Sequence, residues 1–321
     1  MKSSGRRAFL GSGSAALLCG GTARAETTKI VLGTAMEGGT VAAYGASFIS
    51  VMRSVDPIFE IKGTPTKNIM GNVAMLEAGE ADIARVFGEV AHELFAGIGR
   101  PPTKLKVVAV MYSTPGMFVV RSDTRFREIS DLKRREVVWN GRDSGLAVQA
   151  RYVMDGLGLD IERDFTPIYT DRITDGPPMV IDGRAAALWG GGRRWLGFLD
   201  VANNPRGARF IVPTAAEIEQ IRKKHPFMAS FTVPPSSYRG QSEALTTVGT
   251  WSFVLARADL DEAVGYRLAA GLHTAERLGQ LSKLLVETTV KNTLAAVPSR
   301  DVLQPGVARY FKEKNLMPAG T

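Results

Sequence analysis

From residue 29 the chain alternates short apolar runs with helical patterns, and this alternation constrains the fold more than any other feature. "KIVLGTA" (29–35) reads as a strand buried on both faces. "GGTVAAYGASFISVMRSV" (38–55) reads as a helix with Val41, Gly45, Phe48, Ile49 and Met52 on one side. "IFEIKGT" (58–64) reads as a strand, "NIMGNVAMLEAGE" (68–80) as a helix closed at Gly79, "ADIARVF" (81–87) as a strand and "EVAHELFAG" (89–97) as a short helix. Two further strands follow, "KLKVVAVMY" (104–112) and "GMFVVRSD" (116–123). Strand–helix–strand order of this kind implies βαβ units and a mostly parallel sheet, whose strands are buried on both faces and therefore apolar throughout.

A second round begins at "SDLKRREVVWN" (130–140), a short helix leading into a strand. "SGLAVQARYVMDGLGLD" (144–160) is a helix with Ser144 as its N-cap. "FTPIYT", "RAAALWG" and "ARFIVP" read as strands, with helices "DGPPMVIDG" and "WLGFLDVANN" between them. "ALTTVGTWSFVLARAD" (244–259) is a long β segment returning to the first unit. "LDEAVGYRLAAGLHTAERL" (260–278) is an amphipathic helix, and "VARYFKEKN" closes the chain as another. The expectation is an α/β protein of two lobes: residues 26–120 plus 249–321, and residues 121–248. Crossings are expected near Val119–Ser122 and Val248–Trp251, with a ligand cleft at the strand ends between the lobes.

Residues 1–25 read as an export signal rather than as part of this fold. Ser4-Gly5-Arg6-Arg7-Ala8-Phe9-Leu10 has the twin-arginine pattern, a weakly apolar run follows, and Ala23-Arg24-Ala25 is an A-x-A cleavage site. The only cysteine, Cys19, lies in this segment behind Leu18, a poor lipoprotein box, so no lipid anchor is expected. Four of the 40 basic residues also lie here, which leaves 36 against 32 acidic ones, a balance of +4 that gives no argument for nucleic acid.

His92, His225 and His273 are dispersed and have no partners at metal-ligand spacing, and no nucleophile elbow or P-loop occurs. No catalytic site, cofactor or metal is expected. What the residues offer instead is binding chemistry. Gly38-Gly39-Thr40 and Ser144-Gly145 each open a helix, and helix N-termini favour anions. Thr64 and Asn68 flank a strand-to-helix turn. Phe87 and Tyr112 end strands, and Arg85 interrupts an apolar strand, where it needs an anionic partner: Glu89 or a ligand carboxylate. "WGGGRRW" (189–195) ends a strand of the second lobe, with Gly190 and Gly191 small enough for close backbone approach to a ligand and Trp189 and Arg193 beside them. Trp139, Trp189 and Trp195 are read as either cleft wall or core.

Taken in order, several segments resemble the TAXI-type solute-binding proteins of tripartite ATP-independent periplasmic (TRAP) transporters. They are Gly33-Thr34…Gly38-Gly39-Thr40, Thr64…Asn68…Leu76-Glu77-Ala78-Gly79-Glu80-Ala81-Asp82, Ile129-Ser130-Asp131-Leu132-Lys133, Gly141…Ser144-Gly145, Asp182-Gly183, "VPPSSYRGQ" and "VPSRDVLQPGVARYFKEK". The resemblance implies a two-lobed type II periplasmic-binding-protein fold and a monomer in the periplasm that closes on a small organic acid. It further implies delivery to a TRAP permease. The residues expected to line the ligand are Gly38, Gly39, Thr40, Thr64, Asn68, Ser144, Gly145, Gly190 and Gly191, which match the family's pattern, Arg85, Phe87 and Tyr112, read from their place on the strands, and Trp139, Trp189 and Arg193, which depart from it. The chain departs from the family pattern at Val41-Ala42, where an aromatic pair is usual, and at Leu146, where threonine is usual. A periplasmic sensor or partner-binding module, or an exported enzyme on the same fold, are the alternatives.

Overall fold

The computed structural model describes residues 27–34, 40–66, 69–192 and 194–317, together with Met1. The expected export segment, Gly38, Gly39, Asn68 and Arg193 lie outside the described residues. The first βα alternation forms as read: β1 (Thr28–Gly33), α1 (Thr40–Val55), β2 (Phe59–Thr64), α2 (Ile69–Glu77), β3 (Ile83–Phe87) and α3 (Gly88–Ala96). β1 pairs in parallel with both β2 and β3, as helical crossovers require.

The two strands expected over 104–123 are a single one, β4 (Lys106–Arg121). Pro115 and Gly116 suggested a break, but two ladders meet end to end there. The returning strand over Leu245–Ala256 supports β4 up to Pro115, and the second sheet takes over from Gly116. The second alternation follows: β5 (Glu136–Val138), α4 (Gly145–Gly156), α5 (Ile161–Asp164), β6 (Thr166–Ile168), α6 (Gly176–Asp182), β7 (Ala187–Gly191), α7 (Leu196–Asn203), β8 (Ala208–Ile211), α8 (Ala215–Lys224) and β9 (Ala229–Val233). β10 (Leu245–Ala256) returns to the first lobe, which α9 (Glu262–Arg277), α10 (Val290–Ala296) and α11 (Pro305–Glu313) complete.

The strand order is β2-β1-β3-β10-β4-β7-β5-β6, with β8 on β4 and β9 on β10. Among the described strands, parallel ladders are confined to β2-β1-β3 and β6-β5-β7, and every ladder of β4 and β10 is antiparallel. The antiparallel share is therefore larger than the βα alternation alone implies, because the two strands linking the lobes run against their neighbours.

Two hydrophobic cores result. One joins residues between Ile30 and Tyr112 to residues between Phe253 and Phe311; the other lies between Met117 and Val248. β4 passes from the first core to the second across Ser113–Gly116, and β10 passes back across Gly249–Ser252, directly opposite. The sequence had put the first crossing at Val119–Ser122, but Val119 to Arg121 pair with β7 and β8 inside the second sheet.

Residues that carried the family resemblance serve the scaffold. Gly79 turns out of α2 with φ 73°. Asp82 accepts from the Val31 N–H at 2.8 Å and from Arg257 Nε at 3.0 Å, so it ties β1 to the end of β10. Gln304, 1 % exposed, caps α11 by accepting from the N–H groups of Gly306 and Val307.

The "WGGGRRW" stretch is also packing. Trp189 is 0 % exposed and sets its edge against Phe118 at 4.9 Å. A Cβ on Gly190 would run into the Trp195 ring and stand 2.8 Å from Phe198; one on Gly191 would meet Gln149 Oε1 at 3.1 Å and Leu146. These glycines make room for side chains of their own lobe. Gly190→Ala is expected to destabilise the protein by about 1–3 kcal/mol through overpacking, read as a lower urea midpoint at unchanged slope.

Candidate functional site

β3 places Arg85 against the crossing strands, beside Tyr112 of β4 and Ser252 of β10. The residue is only 5 % exposed. Its Nη1 donates to Tyr112 Oη at 3.0 Å and to Ser252 Oγ at 3.4 Å, and its guanidinium stands 4.1 Å over the Phe87 ring. Among the described residues its Nε has no partner and no carboxylate forms an ion pair with it. Tyr112 is held in turn by stacking on Tyr44, with ring centroids 3.9 Å apart. Asn72, 1 % exposed, donates from Nδ2 to the Arg85 carbonyl at 2.7 Å and fixes the strand behind the cation. Asn72 Oδ1 accepts from Thr66 Oγ1 at 2.7 Å, and Thr34 Oγ1 donates to the Thr64 carbonyl. Thr64 itself is half-buried at the end of β2.

Glu89, the alternative partner for Arg85, turns to the linking strands instead. It is 1 % exposed, and its Oε2 accepts from Thr250 Oγ1 at 2.6 Å. Thr250 Oγ1 stands 3.0 Å from Thr114 Oγ1, and Gln149 on α4 donates from Nε2 to the Thr114 carbonyl at 2.8 Å. A polar chain Glu89–Thr250–Thr114–Gln149 thus runs from α3 through both crossings into the second lobe. Burial pushes the Glu89 carboxyl up to about 7, against the lowering effects of Thr250 and Arg85.

From the second lobe, Ser144 accepts from the Ala147 N–H and caps α4, as expected. Gly145 then meets the first lobe directly. A Cβ there would fall on the Phe87 ring and lie 2.7 Å from Glu89 Oε1. Phe87 is therefore held between the Arg85 cation and the α4 backbone. Tyr152, two turns along α4, donates to Glu93 Oε1 at 3.1 Å, and His92 stacks on Phe227 at 3.8 Å. The lobes are in contact along this line.

The structure thus gathers Arg85, Phe87, Tyr112, Ser144 and Gly145 around the inter-lobe boundary. It does not bring the tryptophans there as exposed walls. Trp139 and Trp189 are both 0 % exposed and edge onto Phe118 inside the second core, and Trp195 packs on Phe198. Gly190 and Gly191 go with them, as described above. For Thr40 only the backbone, which opens α1, is described.

Sequence reading missed Asn72, Thr114, Asn140, Gln149, Thr170, Thr250 and Ser252. Asn140, at φ 66°, donates to the Trp189 carbonyl at 2.8 Å, while its Oδ1, Gln149 Oε1 and the neighbouring Thr170 Oγ1 are buried without a partner among the described residues. The signal was present: polar residues in the middle of apolar strands, "ST" in β4 and "T…S" in β10, must be hydrogen-bonded when buried. A groove of about 590 Å³ borders the same crossings from the side of α3, Phe227 and residues 295–302, and none of the residues predicted from sequence lines it. Among the described residues no group of His, Cys, Asp and Glu is arranged to hold a metal, and no helix is long and apolar enough to cross a membrane.

A model of the NMT1-like family matches residues 32–314, and this family corresponds to the TAXI-type solute-binding proteins that the motifs resemble. Among solved structures, the chain is similar to the probable amino-acid ABC transporter extracellular-binding protein YtmK of Bacillus subtilis. The match has 13% identity, covers 82% of this chain and 98% of that one, and has a TM-score of 0.54. It is similar to PhnD1 of Prochlorococcus marinus, solved with methylphosphonate, at 13% identity over 91% of this chain and 100% of that one, TM-score 0.54. It also resembles Tv2483, solved with L-arginine, at 10% identity over 82% and 90%, TM-score 0.53. At these identities the likeness is one of fold: a mixed α/β periplasmic-binding-protein fold of the type II class.

Proposed function

The chain belongs to the NMT1-like family, and on that premise we propose that this solute-binding protein of a transporter captures a small organic anion by closing its two lobes around it. The family and the fold are those of binding proteins, not of an enzyme. The observation that carries the choice of an anion is Arg85: a buried guanidinium with a free Nε and no carboxylate partner among the described residues. A buried cation of this kind is costly unless an anion meets it, and a ligand carboxylate supplies one. Phe87 and Tyr112 orient the guanidinium, Ser144 and Gly145 bring the start of α4 to the same place, and Asn140, Gln149 and Thr170 offer acceptors from the second lobe.

The first moving body runs to Tyr112 and resumes at Phe253, the second spans Met117 to Val248, and the crossings at Ser113–Gly116 and Gly249–Ser252 are the hinge. Export by the twin-arginine route, action in the periplasm as a monomer and delivery to a TRAP permease complete the reading, on the sequence motifs and family membership together. A panel of small mono- and dicarboxylates, each paired with its amide, tests it by thermal shift and calorimetry. At least one acid is expected to stabilise the protein while its amide does not. Equal response to acids and amides, or to neither, would refute the anion assignment.

A further inference from the structure

We propose that closing the lobes puts a proton on Glu89, so that mild acid favours the closed, ligand-holding form. The inference rests on the lobe-closing reading above and concerns a residue outside the ligand contacts.

Glu89 is a carboxyl 1 % exposed that forms no ion pair among the described residues. Its one side-chain hydrogen bond comes from the neutral Thr250 hydroxyl. Its burial depends on the second lobe: the Gly145 backbone closes over Oε1, and Tyr152 holds α4 to α3 one turn farther along. Moving α4 away would expose the carboxyl to water, where it returns to ordinary carboxylate behaviour.

The charged and titratable groups around it are Arg85 on β3, His92 and Glu93 on its own helix, and Arg151 and Tyr152 on α4. β4 and β10 contribute hydroxyls. Arg85 favours the anion and Glu93 opposes it, but desolvation outweighs both and raises the carboxyl to about 7 in the closed form, above the ordinary carboxylate value of 4.5. The closed form therefore keeps a proton that the open form has released between these two values. Closure is unhindered below the open-form value. It grows harder as pH rises through the window, and levels off above the closed-form value.

His92 acts in the opposite sense. Burial against Phe227 and the nearby His225 lower its value in the closed form, so it sheds a proton on closing below its ordinary range. The His92→Gln background removes this opposing proton.

The test is the inter-lobe distance in ligand-free protein, measured between spin labels at Met70→Cys and Ile173→Cys, both exposed, in the full chain with Cys19→Ser. In the His92→Gln background the ratio of closed to open molecules is expected to fall about tenfold or more from about pH 5.5 to about pH 8. With Glu89→Gln added, a neutral isostere that keeps the Thr250 contact, the ratio should stay flat at the acid-side value. A distance distribution indifferent to pH, or one that shifts equally with and without Glu89, overturns the proposal. Because no ligand is used, failure of the anion assignment would not produce either result.

Discussion

Arg85→Ala is expected to weaken binding of the carboxylate selected by the acid–amide panel by about 2–5 kcal/mol, read by calorimetry, because it removes one member of a desolvated charge pair. The fold should survive. Among the described residues Arg85 makes two side-chain hydrogen bonds and one ring contact and has no carboxylate partner, so its loss relieves a desolvation penalty rather than breaking an ion pair. The thermal midpoint of the ligand-free variant should therefore stay at or above that of the parent. Arg85→Lys should fall between the two, since lysine keeps the charge but loses the planar fork and its seat on Phe87. Unchanged affinity in Arg85→Ala would remove the residue from the site.

Gly145→Val should weaken capture by a different route. Its side chain would occupy the place of the Phe87 ring and crowd the Glu89 carboxyl, both of which belong to the other lobe. The open form has no such clash, so stability should hold while the closed form becomes rare. Apparent affinity falls in proportion to the population able to close, here by more than about tenfold. Gly145→Ala is the milder version, and adding Phe87→Ala to it should restore closure, measured as ligand-induced contraction in small-angle scattering. A Gly145→Val protein that contracts and binds like the parent would show that this contact does not form during capture.

The sequence carries the architecture well because periodicity reports burial. The βα alternation, the N-cap at Ser144 and the returning segment at 245–256 are all visible as patterns of apolar residues and turn formers. It carries the join between the lobes less well. Pro115-Gly116 looks like a stop signal, yet the strand continues because two different partners support its halves, and that support is not local. The site divides in the same way. Arg85 stands out because a charge in an apolar strand demands an explanation. Trp139 and Trp189 mislead because a tryptophan at a strand end suits a cleft wall and a core equally, and only the placement of Phe118 decides. The glycines of "WGGGRRW" mislead for the same reason. A small residue reports that something comes close, and here the visitors are Trp195 and Gln149. Thr114, Gln149 and Thr250 form their chain across three elements distant in sequence, so single-strand patterns mark them as polar without showing that they meet.

A crystal structure of the protein with the carboxylate selected by the panel tests the account most directly. The ligand is expected between the lobes, with its carboxylate within hydrogen-bonding reach of the Arg85 guanidinium and its far end toward Asn140, Gln149 and Thr170. A carboxylate seated elsewhere, as in the groove beside Phe227 and Trp251, with Arg85 untouched, would contradict it.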